Sequence, residues 1–354
     1  LKECFQLELD ALHDQYQFPG ATAAYILPDG TVEVVATGLA DVESASPMKP
    51  QSRMLAASIG KTFVGATILA LKHEGILDMD DRMSKWLSDQ SWLSRLPNYD
   101  TITLRQLLNH RSGISNHVYT EGFKKTLRQN VSKFNHELSL QKMISFVLDQ
   151  PPLFPPGEGW HYSDTGYLLL GLVIEKVTGH TYYEEVMKRF IKPLHLASTT
   201  PSNRLELSGL AAGYMAVDNP FGLPVKTTMH PGIMVWHPGI EWTGGGLISN
   251  PKDLVIWPKA LFEGRALEGC YLDTLLQSRP INDDDPYTCY GLGVGIHKKG
   301  PQGPTYGHGG WIPGYCSSLR YYSRHGIAVA FQINTDIGIV DDSTSVIEDM
   351  ETRL

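Results

Sequence analysis

Cysteine is scarce: the 354 residues hold four, Cys4, Cys270, Cys289 and Cys316. No two form a C-x-x-C pair, which excludes a zinc knuckle and a thioredoxin-type motif. A Cys270–Cys289 disulfide stays open, but free buried thiols are the simpler expectation. A long basic run is also missing, and the net charge is -8 from 30 basic and 38 acidic residues. A nucleic-acid-binding face is therefore not expected. The longest apolar stretch, around Tyr167 to Ile174, falls far short of the ~20 residues that span a bilayer. There is no internal repeat and no low-complexity segment. No charged n-region and apolar h-region follow Leu1, so the protein was either never exported or has lost a signal peptide.

Several catalytic motifs are absent too. There is no G-x-S-x-G elbow, so an α/β-hydrolase has little support. His73-Glu74 and His136-Glu137 both lack the second histidine of H-E-x-x-H, which argues against a zincin. No G-x-G-x-x-G follows a strand, so a dinucleotide enzyme is not indicated. Gly60-Lys61-Thr62 looks like the end of a P-loop, but the first glycine of that motif would fall on Leu55.

What remains is an ordinary globular composition, 42% hydrophobic and 19% charged. The length suits one large domain or two sub-domains. Leu7, Leu9 and Leu12 suggest one face of an opening helix. Residues 21–27 and 31–37, joined by Pro28-Asp29-Gly30, read as a β-hairpin. Residues 58–77 turn helical, with Gly75 as a stop signal. Shorter helices are expected over 103–109, 140–148 and 165–178, and long loops over 201–240. A helix from Asn250 to Phe262 precedes strands over 291–297, 314–322 and 327–334, and a closing helix over 343–353.

Strands lie at both ends and helices in the middle. Isolated hairpins are unstable alone, so the two ends are expected to share one antiparallel sheet. The fold class is α+β: residues 1–57 and 239–354 form a sheet flanked by terminal helices, and residues 58–238 a mostly helical sub-domain. Ligand sites favour the cleft between two such units.

Three short segments could carry chemistry. In Ala57-Ser58-Ile59-Gly60-Lys61-Thr62, Ser58 and Lys61 share a helix face with Cβ atoms about 5–6 Å apart. A serine needs a base to become a nucleophile, and a lysine serves as one only when its environment disfavours its charge. Alone, the pattern reads more simply as a helix cap and a surface lysine. The second segment, His161-Tyr162-Ser163-Asp164, follows the bend Phe154-Pro-Pro-Gly-Glu-Gly159. Tyr162 could shuttle the proton of Ser58, while Ser163 or Asp164 could simply cap the next helix. The third is Tyr306-Gly-His308-Gly309-Gly310-Trp311-Ile-Pro-Gly314. Its glycines let a substrate backbone approach a strand edge, while His308 read alone is a surface or core histidine.

In this order the three segments resemble the serine β-lactamase and penicillin-binding-protein superfamily. Their spacing matches its class C-like branch of β-lactamases, D-alanyl-D-alanine carboxypeptidases, D-aminopeptidases, amidases and esterases. Leu107-Leu-Asn-His-Arg-Ser-Gly113, Tyr162-Ser-Asp-Thr-Gly-Tyr-Leu-Leu-Leu-Gly171 and Gly244-Gly-Gly-Leu-Ile-Ser249 extend the likeness over nearly the whole chain. The resemblance implies Ser58 as acylated nucleophile, Lys61 as its proton acceptor and Tyr162 as general base. It puts Asp164, His308, Gly309, Gly310 and Trp311 at the substrate, with the Ser58 and Trp311 backbone N–H groups as oxyanion hole. It implies no metal and no cofactor, and a periplasmic or secreted protein, with a cytoplasmic one left open. The expected activity is acyl-enzyme hydrolysis of an amide or ester, as in a D-alanyl-D-alanine carboxypeptidase or β-lactamase. A D-amino-acid amidase, an esterase or an inactive peptidoglycan-binding protein are the alternatives. Substrates would be D-amino-acid peptides, β-lactams or esters. Two positions depart from the family pattern. Asp164 stands where asparagine is usual, and His308 where lysine is frequent. Asp164 is therefore expected either to hold the charge of Lys61 and favour a substrate ammonium, or to cap its helix.

Overall fold

A computed structural model describes residues 1–130, 138–338 and 345–354. The His136–Glu137 pair and the first two residues expected of the closing helix lie outside the described residues. The opening helix, α1 (Lys2–Tyr16), buries Phe5, Leu9 and Leu12. Leu7, expected on that face, is exposed and Phe5 replaces it, because positions 5, 9 and 12 keep the 3.6-residue period. The hairpin follows as β1 (Gly20–Ile26) and β2 (Val32–Asp41), turning at Gly30 with φ +88°. A short β3 (Ser46–Pro47) flanks it.

A 3-10 turn, Ala57–Gly60, leads into α2 (Lys61–His73). The helix stops before Gly75, which takes φ +72°. Further on come α3 (Asp164–Thr178) and α4 (Pro251–Phe262). The C-terminal part supplies β4 (Arg279–Asn282), β5 (Asp285–Tyr290), β6 (Gly295–His297), β7 (Thr305–Ile312), β8 (Tyr315–Tyr322) and β9 (Ile327–Ile333). A last helix, α5 (Ser345–Arg353), ends the chain.

The two ends do share one antiparallel sheet of nine strands, in the order β3-β2-β1-β9-β8-β7-β6-β5-β4. β1 pairs with β9 from Ala21↔Ile333 to Ile26↔Ala328. β1 is buried along its whole length, because helices cover both faces. Tyr25, Val35 and Phe331 pack with Phe5, Leu9, Leu12, Ile347 and Met350 of the terminal helices. Ala24, Ile26 and Ala330 face the larger core shared with α2, α3 and α4. There Phe63 stacks on Trp257 at 3.9 Å, and the Trp257 indole donates to Thr62. That contact pins α2, and with it the turn bearing Ser58, to α4.

Residues 291–294, expected as strand, form a turn closed by Gly291 N–H donating to Val294 at 2.8 Å. The stretch 201–240 is mostly loop, with one small ribbon of Thr228–His230 against Ile233–Met234. Leu247–Ser249 pairs with both Met54–Leu55 and Thr200–Pro201. All four cysteines are free, and Cys289 and Cys316 are buried while Cys4 and Cys270 are exposed. Among the described residues no helix is long and apolar enough to cross a membrane.

Candidate active site

Ser58 sits in the 3-10 turn ahead of α2, behind an Ala57 in the left-handed region at φ +49°. Such strain tends to persist where a side chain must be aimed. A second turn, 241–246, crosses the start of α2. A Cβ on Gly60 would lie 2.2 Å from the Gly245 carbonyl oxygen, and one on Gly245 would lie 2.6 Å from the Ala57 backbone. The two glycines let the turns touch, which brings the Gly244 carbonyl over Lys61.

Lys61 is fully buried. Its Nζ donates to Ser58 Oγ at 3.1 Å, to Asp164 Oδ1 at 2.5 Å and to the Gly244 carbonyl. An ammonium has three donors, so all are engaged. The ammonium also lies 4.8 Å from the Tyr162 ring centre and 5.2 Å from that of Tyr167. The helical spacing read from the sequence therefore does join Ser58 to Lys61.

Tyr162 lies beside this pair, its buried hydroxyl close enough to Ser58 to feel it but outside good hydrogen-bond geometry with any of the described residues. The three expected residues thus lie together, with the Ser58–Lys61 hydrogen bond well formed and Tyr162 next to both. Burial drives the Tyr162 phenol well above its ordinary value, the Asp164 charge adds to this, and Ser58 pulls the other way.

Asp164 opens α3 but caps nothing, and neither does Ser163, whose hydroxyl donates to the Ser115 carbonyl. The capping expectation fails because both carboxylate oxygens are taken: Oδ1 by Lys61 and Oδ2 by the Asn116 amide at 3.1 Å. Burial opposes the charge, but Lys61 outweighs it and holds Asp164 below the usual carboxylate range.

His308, Gly309, Gly310 and Trp311 lie on β7. β6 pairs with β7 only from Thr305 to Gly307, so beyond Gly307 the edge on that side has no partner strand. A Cβ on Gly310 would fall 2.4 Å from the Ala56 carbonyl oxygen, so the strand reaches the Ser58 turn only with glycine there. The Trp311 indole donates to Asp336 at 3.1 Å. His308 Nδ1 donates to the Gly309 carbonyl at 2.5 Å, and its Nε2 accepts from the Tyr290 hydroxyl at 2.7 Å. Burial, then Lys61, pushes His308 down to about 4, so it is neutral at pH 7.

Sequence reasoning missed Asn116, His117, Trp160, Glu241 and Tyr290. Glu241 starts the turn that supplies the Gly244 carbonyl. Its Oε2 is buried with no hydrogen-bond partner among the described residues. Burial pushes its carboxyl up to about 8, Lys61 opposing and Asp164 adding. These residues sit on irregular segments that leave no periodic signal, although His110 within Leu107–Gly113 marked one neighbouring loop.

The side chains enclose a cavity of about 510 Å³. Ser58, Tyr162, Asp164, Glu241 and His308 form its polar end, and Phe123, Leu127, Phe221, Leu223 and Ile240 an apolar wall. Among the described residues no three His, Cys, Asp or Glu side chains converge as metal ligands.

Known proteins resemble this chain over most of its length. A model of a family described as Beta-lactamase matches residues 5–349. The penicillin-binding protein 4* of Bacillus subtilis is 26% identical over 341 residues, 94% of this chain and 71% of that one. The structure of a D-stereospecific amidohydrolase from Streptomyces sp. superposes with a TM-score of 0.83 at 30% identity, over 97% of each chain. That of the D-amino acid amidase from Ochrobactrum anthropi with L-phenylalanine gives 0.79 at 26% identity, over 95% of this chain and 92% of that one.

Proposed function

The chain belongs to the Beta-lactamase family, and from that premise we propose that it is a serine amidohydrolase cleaving amides of D-amino acids that carry a free amine. One observation carries the choice within the family. The cavity sets two carboxyl side chains, Asp164 and Glu241, beside Ser58, while His308 is neutral and Lys61 is saturated. A substrate ammonium has a partner there, whereas the cation next to Ser58, Lys61, is already engaged. The D configuration is inferred from the two amidohydrolase structures.

The chemistry assigns one role to each residue. Ser58 Oγ attacks the amide carbon, and the Ser58 and Trp311 backbone N–H groups hold the developing oxyanion. The Ser58 proton passes to the Lys61–Tyr162 pair. That pair hands it to the leaving nitrogen as the C–N bond breaks, so ammonia departs and an ester remains on Ser58. Water then attacks the ester, its proton returning through the same pair, and the free amino acid leaves. A Lys61 that donates three hydrogen bonds has no lone pair, so the reactive form holds one proton fewer, shared among Lys61, Tyr162 and Asp164.

A carboxypeptidase or β-lactamase activity is the second reading. The open β7 edge beside Ser58 favours it, since that edge suits an extended acyl-peptide, and the likeness to penicillin-binding protein 4* supports it. The neutral His308 weakens it, because that histidine then offers a terminal carboxylate no charge. An inactive binding protein fits poorly with a serine already bonded to a buried lysine. The test is a hydrolysis panel: a D-amino-acid amide, its L enantiomer, a D-alanyl-D-alanine peptide, a penicillin and a p-nitrophenyl ester. The D-amide is expected to show the highest kcat/KM, and Ser58→Ala to lose both turnover and phosphonate labelling. Faster turnover of the peptide or penicillin would move the assignment to the second reading.

A further inference from the structure

The amidohydrolase reading asks which group receives the substrate's amine. Asp164 is the obvious carboxylate, yet both its oxygens are occupied, one by Lys61 and one by Asn116. Accepting an ammonium there would mean giving up a bond that holds Lys61 or the Asn116 loop. Glu241 is different. It lines the cavity, and its Oε2 is buried with no hydrogen-bond partner among the described residues. A polar atom left in this state is costly unless something else satisfies it. The turn itself does not need the side chain: its closing bond runs from the Gly244 N–H to the Glu241 backbone carbonyl at 2.6 Å. The carboxyl is nevertheless admitted, because Gly245 leaves room that a Cβ, 2.5 Å from Glu241 Oε1, would fill.

We propose that Glu241 is the specificity residue that receives the substrate's free amine, its unused carboxyl oxygen pairing with the ammonium. This rests on the amidohydrolase reading above. The titratable groups that face it are Lys61 on α2, Asp164 at the start of α3 and Tyr162 in the loop before it. Among these only Lys61 is cationic, and it is engaged with Ser58, Asp164 and Gly244. In the empty site, burial keeps the Glu241 carboxyl largely protonated at pH 7, with its ionisation pushed up to about 8. Seating an ammonium beside it drives the proton off into solvent. Amine binding and proton release are thus one event, and N-acylated substrates, which bring no charge, release none.

The experiment uses Ser58→Ala, which binds without turnover. D-phenylalanine amide is titrated calorimetrically at pH 7 in two buffers of different ionisation heat. An α-amine has an ordinary pKa of about 7.7–8.0, so roughly two-thirds of a proton or more should be released per site. In Ser58→Ala/Glu241→Gln the release should vanish and Kd rise about tenfold or more. In the otherwise native enzyme, Glu241→Gln should lower the kcat/KM ratio of the amide to its N-acetyl derivative by a similar factor, chiefly through KM. Binding without proton release from Ser58→Ala overturns the role of Glu241 and leaves the amidohydrolase reading standing. Equal release with and without Glu241 does the same. No binding of the amide overturns both. The Ser58→Ala titration needs no change at position 241, so a binding event without proton release overturns the role of Glu241 even if the glutamine variant fails to fold. Glu241→Asp, which keeps the carboxyl, then serves as the second variant and should keep the release.

Discussion

Lys61 spends its three protons on Ser58, Asp164 and the Gly244 carbonyl, so the resting site is a closed shell of donors. What opens it is the loss of one proton, and Asp164 influences where that proton comes from. A carboxylate only accepts hydrogen bonds, and its charge helps hold the Tyr162 phenol up, after burial, which is the larger cause. Removing the charge while keeping the shape should therefore ease Tyr162 ionisation. For Asp164→Asn the rising alkaline limb of kcat/KM is expected to move to lower pH. A p-nitrophenyl ester is the substrate to use, because it brings no amine to titrate in the same range. A limb that stays put, or moves up, would uncouple Asp164 from the reactive proton. Tyr162→Phe keeps the ring over Lys61 and removes the hydroxyl. It should cost about 100-fold to 10,000-fold in kcat, the range of a lost general acid–base group, measured as the rate of Ser58 acylation in single turnover.

The elements bring these residues together by close backbone contact, and glycine sets how close. At Gly310 an added Cβ would meet the Ser317 hydroxyl at 2.2 Å and the Ala56 carbonyl at 2.4 Å. Ala56 immediately precedes the Ser58 turn, and neither β8 nor that turn can move away freely. Gly310→Ala should destabilise by about 1–3 kcal/mol, as overpacking does, and slow phosphonate labelling of Ser58 as β7 is pushed off the turn. Thermal melting and labelling rate check it; a variant with native Tm and native labelling would mean the contact is soft. The sequence made part of this legible. The Ser58–Lys61 face follows from i, i+3 spacing, and the β1–β2 hairpin from its Asp-Gly turn. β4 and β5 were not legible. Arg279–Asn282 and Asp285–Tyr290 carry Pro280, Pro286 and a run of aspartates that read as loop. Pro280 is tolerated because β4 is the sheet edge, and Pro286 because it sits in the register shift between Asp285 and Cys289, ahead of the pairing with β6. Glu241 and Asn116 stayed hidden for another reason. Each reaches Lys61 or its partner Asp164 through a crossing of irregular chain, and no local period encodes a crossing.

On the scale of the whole molecule, the sheet is closed by strands from both ends of the chain, and a buried charged site lies between it and the helices. Two histidines packed beside the larger core are almost wholly buried: His110 and His117 are each 1% exposed. Burial, then the Lys61 charge, holds His110 well below its ordinary value. Burial also brings His117 down to about 4, although Asp164 pulls it up and Lys61 down. The sign follows directly. Between pH 6.5 and 4 an unfolded chain binds protons that the folded one refuses, so stability is full above 6.5 and drains away as the pH falls. At pH 5 a histidine with a folded value of about 4 has lost about 2 kcal/mol of stabilisation, at 1.36 kcal/mol per pH unit below 6.5. His110 adds to this in the same direction, and so does Asp164 at still lower pH, where its carboxylate must take up a proton despite Lys61. Glu241 works the other way over this range. Its carboxyl, held up to about 8, takes a proton more readily in the folded chain and returns stability as the pH falls. The test is therefore the comparison of wild type with a His117 variant in urea at pH 7 and pH 5, the two differing by about 2 kcal/mol in their pH-dependent change. His117→Gln, which cannot titrate, should show a smaller drop than the wild type even if it is less stable at pH 7. The same change between the two pH values in wild type and His117→Gln would mean that His117 accepts its proton in place, and that the core around it is open to water.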